Sequence, residues 1–352
     1  MIDRWEMPRS CVSAAMLTEL ATEHGVAAAH VLRGTGITPQ VLKDPTAEIT
    51  AGQELTLVRN LISHLATVDG LGIAAGKRYH APSFGPLGFA MISSPTVREA
   101  LEVVTRWFEL SFSFSTLRRH DDDATITVVL DDTGVPADIK CFNTERDLSA
   151  ICTMIRSLLP SMPILLAGLD IALPEPRYVA KYADIAAAVA TELRFGSAVT
   201  ALHIDAALLP LPLPQANRHI AEMCVQQCAT LLQRRRARAG VSGHVRDHLL
   251  RRGHAADQDE VARELSMSVR TLRRRLTEEG TSYRELVAET LGMLAEELLR
   301  TGMPVEQIAD RLGYADASSF THAFKSWKGM TPGRYARERV GNRTSQPIRA
   351  AY

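Results

Sequence analysis

The feature that most constrains this chain is a segment that occurs twice near its C-terminus. Residues 260–267 are matched by residues 307–314, 47 positions later. Beyond a turn, Leu272 and Leu276 correspond to Phe320 and Phe324. Each copy has the apolar spacing of a short helix, a tight turn and a second helix. We therefore predict two helix-turn-helix motifs, at about 259–280 and about 305–328.

The sequence of the first motif predicts both the N-caps of its two helices and the residues of its core. Val261, Ala262 and Leu265 mark one face of its first helix, and Asp259 is the predicted N-cap of that helix. Ser268 is the predicted N-cap of the second helix. This pattern predicts two short helices packed across a turn.

The second helix of the first motif carries a row of arginines. Leu272 and Leu276 face inward, four residues apart, so a neighbouring face points outward. The residues on that outward face are Arg270, Arg273 and Arg274. The second helix of such a motif enters a DNA major groove, where arginine bridges the O6 and N7 atoms of guanine. We predict base contacts from these three, and a phosphate contact from Arg275; the alternative is an arginine-rich solvated face.

The second motif has the same core but a different outward face. Ile308, Ala309 and Leu312 take the inward positions, and Asp316 or a neighbour caps the next helix. The predicted core of that helix is Phe320, Phe324 and Trp327. The predicted base-contacting residues are Ala317, Ser318, Thr321 and His322, and Lys325 and Lys328 are predicted to contact phosphates. Because these base-facing side chains are small and polar, we expect weaker direct readout than from the arginines.

An amphipathic helix is predicted over residues 283–299, between the motifs. A helix of this length spans roughly 25–30 Å, close to the roughly 34 Å of one DNA turn. We therefore expect a monomer to contact two successive major grooves on one face of the DNA. Its site should lack internal dyad symmetry.

Residues 241–339 resemble the DNA-binding domain of the AraC/XylS family of bacterial transcription regulators. The resemblance is carried by residues 309–314, by Ser318-Ser319-Phe320, by Phe324-Lys325 and by residues 329–335. It implies a transcription regulator, more often an activator, with double-stranded DNA and RNA polymerase as partners. Two positions depart from the family pattern. His322 replaces an arginine often found there. Ser266 occupies the position of Gly313, so we expect a first turn that is either mildly strained or of another type.

The N-terminal two thirds predict an α+β domain. Predicted helices cover residues 16–32, 50–65, 94–108, 147–159 and 178–193, and predicted strands cover 124–130, 164–173 and 199–204. Residues 84–89 are predicted to form a loop and residues 121–123 a hairpin tip. A further helix over 218–236 suits dimerisation, interdomain contact or the last core helix of this domain. The stretch 238–243 is the predicted linker.

Residues 17–215 resemble the arabinose-binding-type effector domain of one AraC subgroup. The matching stretches are residues 32–37, 84–88, 93–96, 194–196 and 212–216. This resemblance implies a sensory role, for a small-molecule effector or a physical signal, and the sequence does not identify effector-binding residues. The helix over 218–236 leaves a homodimer possible. The predicted organisation is an N-terminal segment (1–16), an α+β sensor domain (17–215), a helix and basic linker (216–240), an all-α DNA-binding domain (241–340) and a flexible tail (341–352).

The formal net charge of zero hides an asymmetry. Residues 1–233 carry 18 Lys and Arg against 25 Asp and Glu, whereas residues 234–352 carry 22 against 15. A basic C-terminal third on an acidic body favours a polyanionic partner such as DNA.

Other function classes find little support in the residues. The five cysteines include no Cys-x-x-Cys pair, and no apolar run approaches the roughly 18 residues of a membrane span. We predict a cytoplasmic, nucleoid-associated protein with no cofactor, metal, membrane partner or catalytic residue. Two alternatives stay open: an enzyme fused to an autoregulatory DNA-binding domain, and an effector-independent architectural DNA binder.

Overall fold

The computed structural model describes residues 4–160, 166–189, 191–254 and 257–340. The chain divides into two compact units. Within the described ranges, the N-terminal unit is Pro8–Arg235, and the C-terminal unit contains the residues from Arg236 onward together with those before Pro8. An α+β unit is thus followed by an all-helical one, which confirms the predicted fold class.

The N-terminal unit contains a five-stranded mixed sheet. The strands of the unit are β1 (Pro8–Ser10), β2 (Glu48–Thr50), β3 (Thr116–Asp121), β4 (Thr125–Asp131), β5 (Leu166–Ile171), β6 (Leu193–Phe195) and β7 (Thr200–Asp205). The sheet order is β3-β4-β7-β5-β6, with only the β5–β6 pair parallel, while β1 and β2 pair separately. Along β4, Ile126, Val128 and Leu130 are buried and their neighbours are half-buried, as a strand with one core face requires.

Ten helices begin in the described part of the N-terminal unit. They are α1 (Val12–Glu23), α2 (Ala28–Val31), α3 (Pro39–Lys43), α4 (Ala51–His64), α5 (Leu71–Gly76), α6 (Pro86–Ile92), α7 (Val97–Trp107), α8 (Lys140–Leu158), α9 (Ala183–Val189) and α10 (Arg218–Arg238). Helix α5 lies very close to α8, because a Cβ on Gly72 would meet the Phe142 carbonyl oxygen at 2.4 Å. Helix α8 is therefore held firmly along one side.

Several predicted elements of this unit are confirmed. Helix α4 matches the predicted 50–65, and Thr50 forms a capping box with Gln53. Strands β4, β5 and β7 lie in the three ranges predicted to be strands, although 164–165 are outside the described residues. The predicted hairpin tip is confirmed one residue later, at 122–124, because Asp121 is the last residue of β3.

Other predictions for this unit are wrong in physically clear ways. The predicted single helix 16–32 is two helices, because Gly25 takes a φ of 80° between them. The predicted loop 84–89 is largely α6, since Pro86 opens that helix at a position where no amide hydrogen is needed. The predicted helix 178–193 is a short 3₁₀ turn followed by α9, and Leu193 belongs to β6.

The C-terminal unit consists of helices. They are α11 (Gly240–Arg252), α12 (Gln258–Glu264), α13 (Val269–Glu278), α14 (Tyr283–Arg300), α15 (Val305–Arg311), α16 (Ala317–Lys328) and α17 (Pro332–Val340). The predicted linker 238–243 is mostly helical, because α10 runs to Arg238 and α11 begins at Gly240. The predicted tail 341–352 lies outside the described residues.

No helix in the described ranges is both long and apolar enough to cross a membrane.

Candidate nucleic-acid interface

Two hydrophobic clusters organise the C-terminal unit, one behind each motif. The first cluster contains Leu272, Leu276 and Leu286, and the second contains Phe320, Phe324 and tyrosine and leucine side chains from α14 to α17. Helix α14 contributes to both, and the half-buried Val287 packs against both. The predicted connecting helix is therefore a shared support for the two motifs.

The turns of the two motifs have the same backbone hydrogen bonds. The Met267 N–H donates to the Ala262 carbonyl oxygen at 2.9 Å, and the Tyr314 N–H donates to the Ala309 carbonyl oxygen at 2.9 Å. Each bond joins residues five positions apart, as is typical of a helix C-terminus that ends in a left-handed residue. The two predicted turns thus close with the same backbone hydrogen bond.

The left-handed residue differs between the motifs. Gly313 takes a φ of 74°, and Ser266 takes a φ of 53°. Ser266 is the single non-glycine residue with positive φ in the described ranges. The predicted strain in the first turn is confirmed, because a side chain in this conformation crowds its own backbone.

The N-caps locate the start of each helix. Ser268 accepts a hydrogen bond from the Thr271 N–H at 3.1 Å, and Asp316 accepts one from the Ser319 N–H at 2.7 Å, as predicted. The Ser319 hydrogen bonds hold the pKa of Asp316 below its usual value. The predicted cap Asp259 is wrong: Asp257 caps α12 by accepting from the Asp259 N–H. Sequence reasoning missed Asp257 although it lies three residues before a glutamate, the spacing of a capping box.

The arginines of α13 face outward. Leu272 and Leu276 are 0% and 1% exposed, which fixes the inner face of the helix. The four arginines, predicted to contact bases or phosphate, are all exposed: Arg270, Arg273, Arg274 and Arg275. Burial of the two leucines therefore presents four guanidinium groups to solvent along one short helix.

Two of these arginines have weak intramolecular partners. Arg274 pairs with Glu278 at 2.6 Å, and Arg273 donates from Nε to the side-chain oxygen of Gln258 at 2.9 Å. Both contacts are solvent-exposed, and an exposed pair of this kind contributes only about 0–1 kcal/mol. The guanidinium groups of Arg270 and Arg275 have no hydrogen bond or ion pair within the described residues. All four groups are therefore available to a ligand at little cost.

Helix α16 presents a smaller and less charged surface. Phe320 and Phe324 are each 0% exposed, while the predicted core residue Trp327 is half-buried. Of the predicted base-contacting residues, the exposed ones are Ser318 and His322, and the half-buried ones are Ala317 and Thr321. Ala317 also packs on the second cluster. This helix has the shape of a reading helix without the charge of α13.

The two predicted phosphate-contacting lysines of α16 differ. Lys325 is exposed, whereas Lys328 is half-buried and pairs with Glu296 of α14 at 2.9 Å. The stem of Lys328 also lies 3.0 Å from the position of a Cβ on Gly292. Lys328 thus braces α16 against α14, a role that sequence reasoning missed because the partner lies 32 residues away.

A second brace holds α11 against the first motif. The Glu279 carboxylate accepts hydrogen bonds from the N–H groups of Val241 and Ser242, both at 2.8 Å. Gly240, with a φ of 82°, lies so close that a Cβ would be 2.7 Å from a Glu279 oxygen. An anion at a helix N-terminus is stabilising because it satisfies free amides and the helix dipole. No local signal announces this contact in the sequence.

No group of three or more His, Cys, Asp or Glu residues within the described ranges is placed to hold a metal ion. Cys224 and Cys228, one helical turn apart, are buried free thiols.

Comparison with known proteins matches both units. Residues 25–213 match the model of the arabinose-binding domain of AraC transcription regulators, and residues 261–338 match a helix-turn-helix domain model. An HTH-type transcriptional regulator of Mycobacterium tuberculosis is 38% identical over 350 residues, covering 94% of this chain and 97% of the relative. The ornithine utilization regulator of Pseudomonas aeruginosa is 28% identical over 325 residues, covering 92% and 94%. The crystal structure of the transcriptional regulator CdpR from Pseudomonas aeruginosa is 22% identical, with coverage of 93% and 98% and a TM-score of 0.45.

Proposed function

Because the chain belongs to the AraC family of transcription regulators, we propose that α13 and α16 occupy two successive major grooves of its operator. The chain is a DNA-binding transcription regulator with an N-terminal sensing domain. The observation that carries the proposal is helix α13, whose four arginines are exposed while its two inward leucines are fully buried.

Base reading is assigned mainly to the first motif. Arg270, Arg273 and Arg274 contact base edges, and Arg275 contacts a phosphate. In the second motif, readout by the four small or polar residues of α16 is weaker and partly water-mediated. Those residues are Ala317, Ser318, Thr321 and His322. Lys325 contacts a phosphate directly, and Lys328 does so only on leaving Glu296.

The spacing of the motifs sets the form of the operator. Helix α14 has 18 residues and is about 27 Å long. This length suits two reading helices on one face of the duplex, about one helical turn apart. A single chain then recognises an asymmetric site.

The finer regulatory features follow the family. We infer that the protein activates transcription through contact with RNA polymerase, that a small-molecule effector shifts the balance between its conformations, and that it can act as a homodimer. We place it in the cytoplasm, on the nucleoid where its operator lies.

Selection from random double-stranded DNA, followed by competition binding, tests this proposal. A regulator should select a defined sequence and bind it at least about 1,000-fold more tightly than random DNA. Its affinity should fall steeply with salt, because several phosphates are neutralised. An architectural binder would select no sequence and would show little preference for any competitor, which would contradict the proposal.

A further inference from the structure

An apolar cavity of about 170 Å³ lies within the N-terminal unit. Helices α6 and α7 form one wall, α8 forms the second, and the five-stranded sheet forms the third. The lining residues that define these walls include Met91 and Leu101, Ile151 and Met154, and Val128 and Leu202. The cavity thus sits between the helical layer and the sheet, where a domain of this kind would ordinarily have a filled core.

Large apolar side chains around the cavity are incompletely covered. Phe84, Val104, Phe108, Ile151 and Ile155 line it and are only half-buried. A dry cavity of about 150 Å³ with similar walls binds benzene in another protein. A molecule of about that size, or with a short alkyl chain, would cover these side chains here and gain the free energy of their removal from water.

The charges at the cavity wall are already balanced. Arg146 and Asp147 line the cavity, and a buried network joins them to Arg9 and Glu54. Arg9 lies 3.1 Å from Glu54, and Arg146 lies 3.6 Å from Glu54 and 3.5 Å from Asp147. Two cations face two anions, so their formal charges cancel and an ionised ligand would find no net counter-charge, although Nη1 of Arg146 has no hydrogen-bond partner within the described residues.

The polar atoms of Asp147 are also engaged. Its Oδ2 accepts hydrogen bonds from Ser113 Oγ at 2.5 Å and from Asn143 Nδ2 at 3.1 Å. A charged ligand would lose its hydration at this wall without finding a counter-ion. An uncharged ligand loses little hydration and gains apolar contact.

The cavity is held open by a firm wall. Gly72 and Gly76 bring α5 against the backbone of α8, where a Cβ on either would lie 2.4 Å from a carbonyl oxygen. Movement of α8 toward the sheet would break this close contact with α5, which opposes collapse of the space between α8 and the sheet. A largely preformed apolar pocket is what small-molecule sites usually show.

We propose that this cavity is the effector site, and that the effector is a small uncharged apolar molecule. The inference rests on the sensing role of the domain and deepens it by naming the class of molecule sensed. Neither the operator nor the direction of regulation enters into it.

Binding of simple probes to the full-length protein tests the inference. Benzene and 1-hexanol are the uncharged probes, hexanoate is the charged match to hexanol, and L-arabinose is the polar probe. At about 100 times its dissociation constant, hexanol should raise the melting temperature of the N-terminal unit by roughly 5–10 °C, saturably. Hexanoate should bind at least about tenfold more weakly. No saturable effect of either uncharged probe, or equal binding of hexanoate, would overturn the inference.

A variant that fills the cavity locates the binding. Ala150→Phe places a ring at the cavity wall, and Ala187→Phe makes the same change at an exposed position of α9. Hexanol affinity should fall at least about tenfold in A150F and stay unchanged in A187F. Unchanged binding in A150F would place the probe elsewhere and contradict the inference.

A third variant keeps the test decisive if A150F does not fold. Ile151→Ala removes side-chain volume from the same wall and so enlarges the cavity. The affinity for n-butylbenzene should therefore rise relative to that for benzene. An unchanged ratio would contradict the inference. Binding of each preparation to the selected operator is measured in parallel. If the wild-type protein does not bind the selected operator, the proposed function is contradicted. If it binds the operator but not the hydrophobic probes, only the assignment of the cavity as the effector site is contradicted.

Discussion

The two helix-turn-helix motifs share a scaffold but present different chemistry. Leu272 and Leu276 in the first are as deeply buried as Phe320 and Phe324 in the second. Both turns close with the same backbone hydrogen bond. The outward faces differ: four arginines on α13, against small and polar residues on α16. The comparison shows that the buried core fixes the position of each recognition helix, whereas its exposed side chains determine how strongly it recognises bases.

The largest effect is expected from the shared core. Phe320→Ala should lower the free energy of unfolding of the C-terminal unit by about 3–5 kcal/mol, and Leu272→Ala by about 2–5 kcal/mol, because each leaves a cavity. Urea denaturation of the full-length variants measures both changes when unfolding of the C-terminal unit is monitored by its susceptibility to proteolysis. A loss below about 1 kcal/mol at either position would break the equivalence of the two cores.

The difference between the faces should appear in DNA binding. Arg274→Ala should cost about 1–3 kcal/mol of specific binding and relax the preference at one base position, since a bidentate contact is lost. His322→Ala should cost less and relax preference less. Competition binding with operators mutated at single positions measures both, and Arg263→Ala, an exposed arginine on α12, is the control for charge alone. Equal effects of R274A and H322A would remove the asymmetry.

The turns allow a reciprocal exchange. Gly313→Ser should destabilise the C-terminal unit by about 1–2 kcal/mol through left-handed strain. The new Cβ would also lie 2.7 Å from the Cβ of His254. Ser266→Gly should stabilise by only about 0.5 kcal/mol, because relief of strain is offset by the greater freedom of glycine in the unfolded chain. Thermal unfolding measures both, and a destabilising S266G would show that Ser266 makes a compensating contact.

The smallest effect concerns the cap of α16. Because hydrogen bonds from Ser319 lower the pKa of Asp316 in the folded state, the stability from this cap is present above the unfolded pKa. It is lost as the pH falls through the folded pKa. Asp316→Asn keeps an acceptor at the cap and does not titrate, so its unfolding should depend less on pH below about 4 than that of the wild-type protein. If the free energies of unfolding of the two proteins change with pH in the same way, this assignment is contradicted.

Sequence predicted those features that local spacing determines. The inward leucines and phenylalanines, the caps Ser268 and Asp316, and the strain at Ser266 all follow from residues within a few positions of one another. The spacing of apolar residues on a helix is a local signal, so the motifs were recognisable without a partner.

What sequence did not predict depends on distant partners or weak local signals. The contacts of Glu279 with α11 and of Glu296 with Lys328 join residues more than 30 positions apart. The buried network of Arg9, Glu54 and Arg146 joins three elements of the N-terminal unit. Strand β3 was missed because its residues are mostly polar and exposed at the sheet edge. In each case tertiary packing, and not periodicity, sets the outcome.

Hydroxyl-radical footprinting and guanine methylation interference on the selected operator test the central claim most directly. We predict protection in two segments on one face of the duplex, about one helical turn apart and unrelated by dyad symmetry. Interfering guanines should concentrate in the segment read by α13, and R274A should remove interference at one of them. A single protected segment, or two segments on opposite faces of the duplex, would contradict the account.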